Sequence, residues 1–185
     1  MKDKNFVFNE ENLNKAEKIL AKYPQERRKS ALLPLLDIAQ RQNGGWLSKD
    51  VLEYVADFLA IPTIQVMEVA SFYTMFNLEP VGKYLIQVCG TTPCWLRGAT
   101  EIMQICEKEI GVKCNETSSD KMFTIKEVEC LGACVNAPMV QVNDDYYEDL
   151  TPEIMQHIIN DLRVGNKIKV GSQIGRMCSA PRDYT

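Results

Sequence analysis

The chain has 185 residues, 21 basic and 25 acidic, and a formal net charge of −4. With 45% hydrophobic residues, 10 Gly and 8 Pro, it is an ordinary globular composition, which excludes disordered, collagenous and low-complexity classes. The acidic balance argues against a nucleic-acid binder dominated by phosphate contacts, and no window reaches the roughly 18 consecutive apolar residues of a membrane span.

The length suits one domain or two small ones. Residues 1–14 carry Asp3, Glu10 and Glu11 and no long apolar core, unlike a secretory signal or an Arg-rich transit peptide. A reducing compartment is therefore expected. Leu13, Ala16, Leu20 and Tyr23 recur at helical spacing, and Tyr23-Pro24 is expected to end that helix. Residues 32–42 predict a second helix, with Pro34 in its first turn and Asn43-Gly44-Gly45 closing it. Ser48 is the expected cap of a third, whose stripe is Val51, Leu52, Val55, Phe58 and Leu59. Ile61-Pro62 breaks it. Residues 63–74 predict a fourth helix, with Ile64, Met67 and Ala70 along one face. The run Glu26-Arg27-Arg28-Lys29 reads as a solvated turn.

The period changes at Gly82. Residues 84–88 read as a buried strand, 90–93 as a loop, and 98–110 as a helix with Ile102, Ile105 and Cys106 inward. Strands are expected at 123–128 and 139–142, with Asn143-Asp144-Asp145 turning into Tyr146-Tyr147. Thr151 caps a final helix that has Pro152 at its first position. The order β-α-β-β-α fits a small sheet covered by helices. Residues 166–185 show no apolar period.

Seven cysteines is a high and odd number for a reducing compartment, and there it points to metal or redox chemistry rather than disulfides. None precedes Cys89. Cys89 and Cys94 form C-x4-C at the end of the first strand; Cys130 and Cys134 form C-x3-C after the second. Each iron of a [2Fe–2S] cluster needs two thiolates besides its bridging sulfides, so two short pairs on adjacent loops satisfy both irons. Gly90, Gly132 and Ala133 are small enough for close backbone approach, and their N–H groups, with that of Thr91, can donate to an anionic cluster. A four-cysteine zinc site accepts similar spacings, so the spacing leaves both open. Buried apolar packing is a poor account of four cysteines in turns. No C-x-x-C exists for dithiol exchange.

Three segments carry a resemblance: Cys89-Gly-Thr-Thr-Pro-Cys94, Cys130-Leu-Gly-Ala-Cys134, and Asn136-Ala-Pro-Met-Val-Gln-Val142. Ser30-Ala-Leu-Leu-Pro-Leu35 and Val69-Ala-Ser-Phe-Tyr73 extend it through the front half, and Gly171-Ser-Gln-Ile-Gly175-Arg176 with Ser179-Ala-Pro181 into the tail. The chain resembles the family of [2Fe–2S] subunits of NADH:quinone oxidoreductase, respiratory complex I. The resemblance implies an α+β fold: a helical N-terminal region (1–80), a thioredoxin-like [2Fe–2S] domain (81–165) and an extended partner-docking tail (166–185). It implies Cys89, Cys94, Cys130 and Cys134 as ligands of one cluster, Cys89 and Cys94 on one iron and Cys130 and Cys134 on the other. It implies an electron carrier that takes one electron from the reduced FMN of an adjacent NADH-oxidising subunit, beside a neighbouring Fe–S subunit. FMN and NADH would lie only on the partner. The absent transit peptide favours the cytoplasmic face of a bacterial inner membrane. Related subunits of NAD-linked hydrogenases and formate dehydrogenases are the near alternative.

Other features carry less. Residues 51–75 allow a helix-turn-helix, which with a four-cysteine zinc module would make a DNA-binding protein. Residues 63–76 hold no Lys or Arg, however, and a recognition helix without a base-reading cation is a poor one. His157 is the only histidine, and a Rieske-type cluster needs two. Cys106 reads as a small core hydrophobe, and Cys114 and Cys178 as free thiols. Pro138 precedes a strand, where thioredoxin-like folds often carry a cis proline, but the sequence does not choose the isomer. The dinucleotide fingerprint G-x-G-x-x-G is absent, and Gly44-Gly45 follows a helix rather than a strand.

Overall fold

A computed structural model describes residues 6–177 of the chain. They fall into two units, one ending at Val81 and the other beginning at Gly82. Among the described residues no helix is long and apolar enough to cross a membrane.

The first unit is helical: α1 (Glu10–Leu20), a 3-10 segment (Gln25–Ala31), α2 (Leu32–Gln42), α3 (Lys49–Leu59) and α4 (Thr63–Phe72). Asn9 caps α1 by accepting from the Asn12 amide at 2.8 Å, and Ser48 caps α3 by accepting from the Val51 amide at 3.4 Å. Ala16, Leu35, Leu36, Ala39, Val51, Val55, Leu59 and Val66 form the core. Phe6, Phe8, Tyr54 and Phe58 add edge-on and stacked ring contacts. Two details depart from expectation. The first helix stops at Leu20 because Lys22 and Tyr23 bond back only three residues, to Ile19 and Leu20, tightening the last turn. The Glu26–Lys29 run lies in the 3-10 segment, where Arg28 donates to the Phe58 carbonyl at 3.3 Å.

The larger departure is the face of α4. Val66 and Ala70 point into the core, while Ile64 is 61% exposed and Met67 45%. Apolar residues stand on every side of this helix, so periodicity alone cannot say which stripe is buried. Phe72, Tyr73 and Met75, which follow, are exposed as well.

The second unit is a five-stranded mixed sheet in the order β2-β1-β3-β4-β5. Its strands are β1 (Tyr84–Cys89), β2 (Phe123–Val128), β3 (Val140–Val142), β4 (Asp145–Glu148) and β5 (Gly171–Ser172). A short helix α5 (Thr92–Leu96) and then α6 (Ala99–Ile110) carry the chain from β1 to parallel β2, with Tyr84 opposite Phe123 and Cys89 opposite Val128. β3 and β4 form an antiparallel hairpin on the other side of β1, turning at Asn143, whose φ of 55° suits asparagine. α7 (Pro152–Val164) leads to β5, which runs parallel to β4. α6 and α7 pack together over the sheet, joining Ile102, Cys106, Met155 and Ile159 to Ile86, Phe123 and Ile125. Thr151 caps α7 by accepting from the Ile154 amide at 3.3 Å, and Pro152 occupies its first turn, as expected. The fold is α+β, with α5, β4 and β5 added to the β-α-β-β-α order. The Ala137-Pro138 bond is cis.

The tail also differs from expectation. Tyr147 pairs with Gly171 and Glu148 with Ser172, so residues 171–172 complete the sheet edge. A two-residue strand has no period to read. Cys178 and Pro181 lie outside the described residues.

Gly82 enters β1 where the backbone is too close for a side chain. A Cβ there would sit 2.7 Å from Phe123 backbone atoms, and the Gly82 amide donates to Thr124 Oγ1 at 2.7 Å. Gly82→Ala is expected to destabilise by about 1–3 kcal/mol through overpacking, read as a lower urea midpoint at unchanged slope.

Candidate metal centre

β1 and β2 lie side by side in parallel, and their C-terminal ends deliver both cysteine pairs. Cys89 is the last residue of β1. The Gly90 amide extends the ladder by donating to the Val128 carbonyl at 3.0 Å. Thr91 then stands before α5, which has Pro93 in its first turn and Cys94 inside it. From β2 the chain turns through Cys130 and Leu131 to Gly132, whose φ of 82° is left-handed backbone suited to glycine. Cys134 begins a single 3-10 turn (Cys134–Asn136).

The pairs differ in depth. Cys89 and Cys94 are each 1% exposed and pack with Ala99, Ala133, Ala137 and Met139. Cys130 and Cys134 are exposed, with their sulfurs 3.4 Å apart. That separation is close contact and well beyond a disulfide bond. Hydrogen bonds converge on the sulfurs. Cys89 Sγ lies 3.4 Å from Thr91 Oγ1, and the Gly132 amide donates to Cys130 Sγ at 3.4 Å. Tyr146 donates to the Leu131 carbonyl at 2.8 Å, bracing the C-x3-C loop from β4.

These contacts divide the thiols by acidity. Burial alone would raise the Cys89 thiol, but hydrogen bonds from the Thr91 hydroxyl and amide, the Leu131 amide and Cys94 outweigh it and hold it below the ordinary range. Burial, the hydrogen bond with Cys89, and the charges of Cys89 and Cys134 push Cys94 up to about 12. The Gly132 amide first, then Cys134 and the Thr91 hydroxyl, lower Cys130. The Cys130 hydrogen bond first, then burial and the charges of Cys130 and Cys89, raise Cys134. Each pair thus holds one acidic and one reluctant thiol, and the four act on one another across the two loops.

The donor set is all sulfur. Among the described residues no group of three or more His, Cys, Asp or Glu converges as around one metal ion. Thiols gathered in twos fit a two-iron cluster, in which each iron takes two, better than a mononuclear tetrahedral site. Of the other cysteines, Cys106 is wholly buried in the sheet–helix core, where burial and then the Glu107 charge push its thiol to about 12. The Cys114 amide donates to Glu107 at 2.9 Å, outside the site. Cys178 lies outside the described residues.

Residue-level reading missed three supports: the Leu131 amide, the Tyr146 hydroxyl and the short helix that carries Cys94. Thr91-Thr92-Pro93 does hold a helix-start signal, cap residues followed by proline in the first turn, in what reads otherwise as a loop. Gly90 needs correcting. Its amide is committed to Val128, and a Cβ there would collide with the Glu127 carboxylate.

Residues 16–163 match the family described as thioredoxin-like [2Fe-2S] ferredoxin. The chain belongs to that family. It is 64% identical over 159 residues to the E subunit of NADH-quinone oxidoreductase from Rickettsia conorii, covering 86% of this chain and 95% of that one. It is 52% identical over 171 residues to the mitochondrial NADH dehydrogenase [ubiquinone] flavoprotein 2 of Dictyostelium discoideum, covering 92% and 69%. Within the family it therefore groups with the complex I proteins, as an electron-carrying subunit of an oxidoreductase complex with one [2Fe–2S] cluster. An NAD+-reducing [NiFe]-hydrogenase shares the fold, with a TM-score of 0.63 at 18% identity, over 70% of this chain and 23% of that one.

Acidity and exposure together set an order of reactivity. In the metal-free chain at pH 7, iodoacetamide is expected to label Cys130 first and Cys94 and Cys106 last, as followed by peptide mass spectrometry. Equal rates at Cys130 and Cys94 would contradict the site geometry. Cys106→Ser should lower thermal stability by burying a hydroxyl while leaving the visible spectrum of the iron-loaded chain unchanged.

Proposed function

We propose that Cys89 and Cys94 hold one iron of the [2Fe–2S] cluster and Cys130 and Cys134 the other. The carrying observation is the two sulfur pairs on adjacent loops at one end of β1 and β2, in a chain that groups with the complex I proteins. When bound, the cluster supplies one-electron redox chemistry. The chain's own contribution is to position and charge the sulfurs. Thr91, Leu131 and Gly132 donate toward them, which stabilises negative charge and favours the reduced state. Loading iron displaces protons from Cys94 and Cys134, the reluctant member of each pair.

The electron donor in this reading is the reduced FMN of the adjacent NADH-oxidising subunit of complex I, with a neighbouring Fe–S subunit also in reach. A hydride brings two electrons at once, so a flavin must stand between NADH and a one-electron centre. Exposed Trp95, Leu96 and Val135, which follow Cys94 and Cys134 in the chain, offer apolar contact beside the site. The tail, residues 166–185, would lie along that partner. The complex would sit on the cytoplasmic face of a bacterial inner membrane. The equivalent subunit of an NAD-linked hydrogenase or formate dehydrogenase is the alternative; the 64% identity to a protein of NADH-quinone oxidoreductase favours complex I.

The anaerobically purified chain is expected to carry about two irons and two sulfides and to be EPR-active only when reduced. Serine at Cys89, Cys94, Cys130 or Cys134 should weaken or abolish that signal. Stoichiometric zinc without visible absorbance would overturn the reading. NADH alone should leave the cluster oxidised and bleach it once the flavin subunit is added. Bleaching by NADH with neither partner nor flavin present would reveal a nucleotide site in this chain.

A further inference from the structure

The turn that carries Cys134 is held from outside by residues remote in sequence. The Asp149 amide donates to the Asn136 carbonyl at 2.8 Å. Asn136 Nδ2 donates to Asp149 Oδ2 and to the Met177 carbonyl, each at 3.0 Å. Arg176 Nη2 donates to the Val135 carbonyl at 2.9 Å and pairs with Asp149 Oδ1 at 2.5 Å. Ser172 Oγ donates to Asp149 Oδ2 at 2.6 Å and accepts from the Arg176 amide at 3.1 Å. Asp149 and Asn136 are buried at 9% and 2% exposure. Burial alone would raise the Asp149 carboxyl, but Arg176, Ser172 and Asn136 together hold it below the usual range. It is therefore an ionised hub with all its partners in place.

We infer that Asp149, Ser172 and Arg176 form a clasp through which the folded part of the tail positions Cys134 for the cluster. The inference rests on the ligand reading above. Val135 and Asn136 follow Cys134 directly, so fixing the Val135 carbonyl and both the side chain and the carbonyl of Asn136 fixes the backbone that aims the thiol. Without the clasp side chains, the backbone bonds that hold this turn are those from Asn136 to Ala133, from Ala137 to Cys134 and from the Asp149 amide to Asn136, and none of them reaches the Val135 carbonyl. Arg176 acts through geometry rather than charge. Its guanidinium reaches the Val135 carbonyl and the Asp149 carboxylate at the same time. A planar guanidinium can grip a carboxylate and a carbonyl at once, which a lysine ammonium cannot do in the same geometry. Arg176, Asp149 and Ser172 are positioning residues. Tyr146, bonded to Leu131, does the same for the Cys130 side of the loop from a neighbouring strand.

The test compares the full-length iron-loaded chain with R176Q, R176K, S172A and, as a control at an exposed tail position, K169Q. Anaerobic bleaching by excess chelator gives the rate of iron release, and EPR of the reduced cluster reports its geometry. Thermal melting of the metal-free forms separates loss of fold from loss of aim. R176Q and R176K are both expected to release iron about tenfold faster or more, the usual effect of losing an outer-shell partner, with a broadened EPR signal. S172A, which keeps the ion pair, should show a smaller change in the same direction, and K169Q none. Wild-type release rates and spectra in both R176Q and S172A would overturn the clasp, as would full rescue by R176K, which would make charge alone sufficient. A metal-free melting loss that accounts for the whole rate change would also overturn it. If the wild-type chain binds no cluster, the ligand reading itself fails.

Discussion

Four thiols brought to one place cannot all ionise without positive charge or directed hydrogen bonds to receive them. The second unit meets that constraint with a hydroxyl and backbone amides. Thr91, Leu131 and Gly132 donate toward sulfur, and Cys89 and Cys130 are acidified by those donors. Cys94, pushed up first by burial and then by Cys89, and Cys134, pushed up first by its hydrogen bond with Cys130 and then by burial, hold their protons more tightly. Binding a cation therefore has to displace protons from the site, those of Cys94 and Cys134 most reluctantly.

The sheet makes this arrangement possible. Cys89 lies opposite Val128 in the parallel ladder, so both strands release their chains at the same end. The Gly90 bond to Val128 carries the ladder one residue past Cys89 and fixes where the first loop begins. On the other side of β1, the β3–β4 hairpin brings Tyr146 and Asp149 to the second loop. The helices α6 and α7 keep these strands in register by covering one apolar core. Chemistry and fold therefore share residues: Cys89 and Cys94 are site thiols and also part of the apolar cluster with Ala99 and Met139.

Much of this was legible in the residues. The capped helices after Ser48 and Thr151 and the strand at 123–128 follow from local chemistry, and the paired cysteines from spacing. What escaped did so for physical reasons. On α4 every side is apolar, so the choice of Val66 over Ile64 is made by the neighbours and not by the helix. β5 is two residues long and is held by pairing with β4, which no local pattern announces. The grip of Arg176 on Val135 spans 41 positions, and only the closed sheet brings them together. The Gly90 amide, which reads as a donor toward the site, is taken instead by the Val128 carbonyl of the parallel ladder.

The outward face of α4 has a different implication. Ile64, Met67 and Phe72 remain largely in water, so they add little to the stability of the unit that carries them. Polar residues there would serve folding equally well. Exposed apolar side chains lower solubility. The amino-acid choice along this helix therefore costs solubility without a return in the unit's own stability.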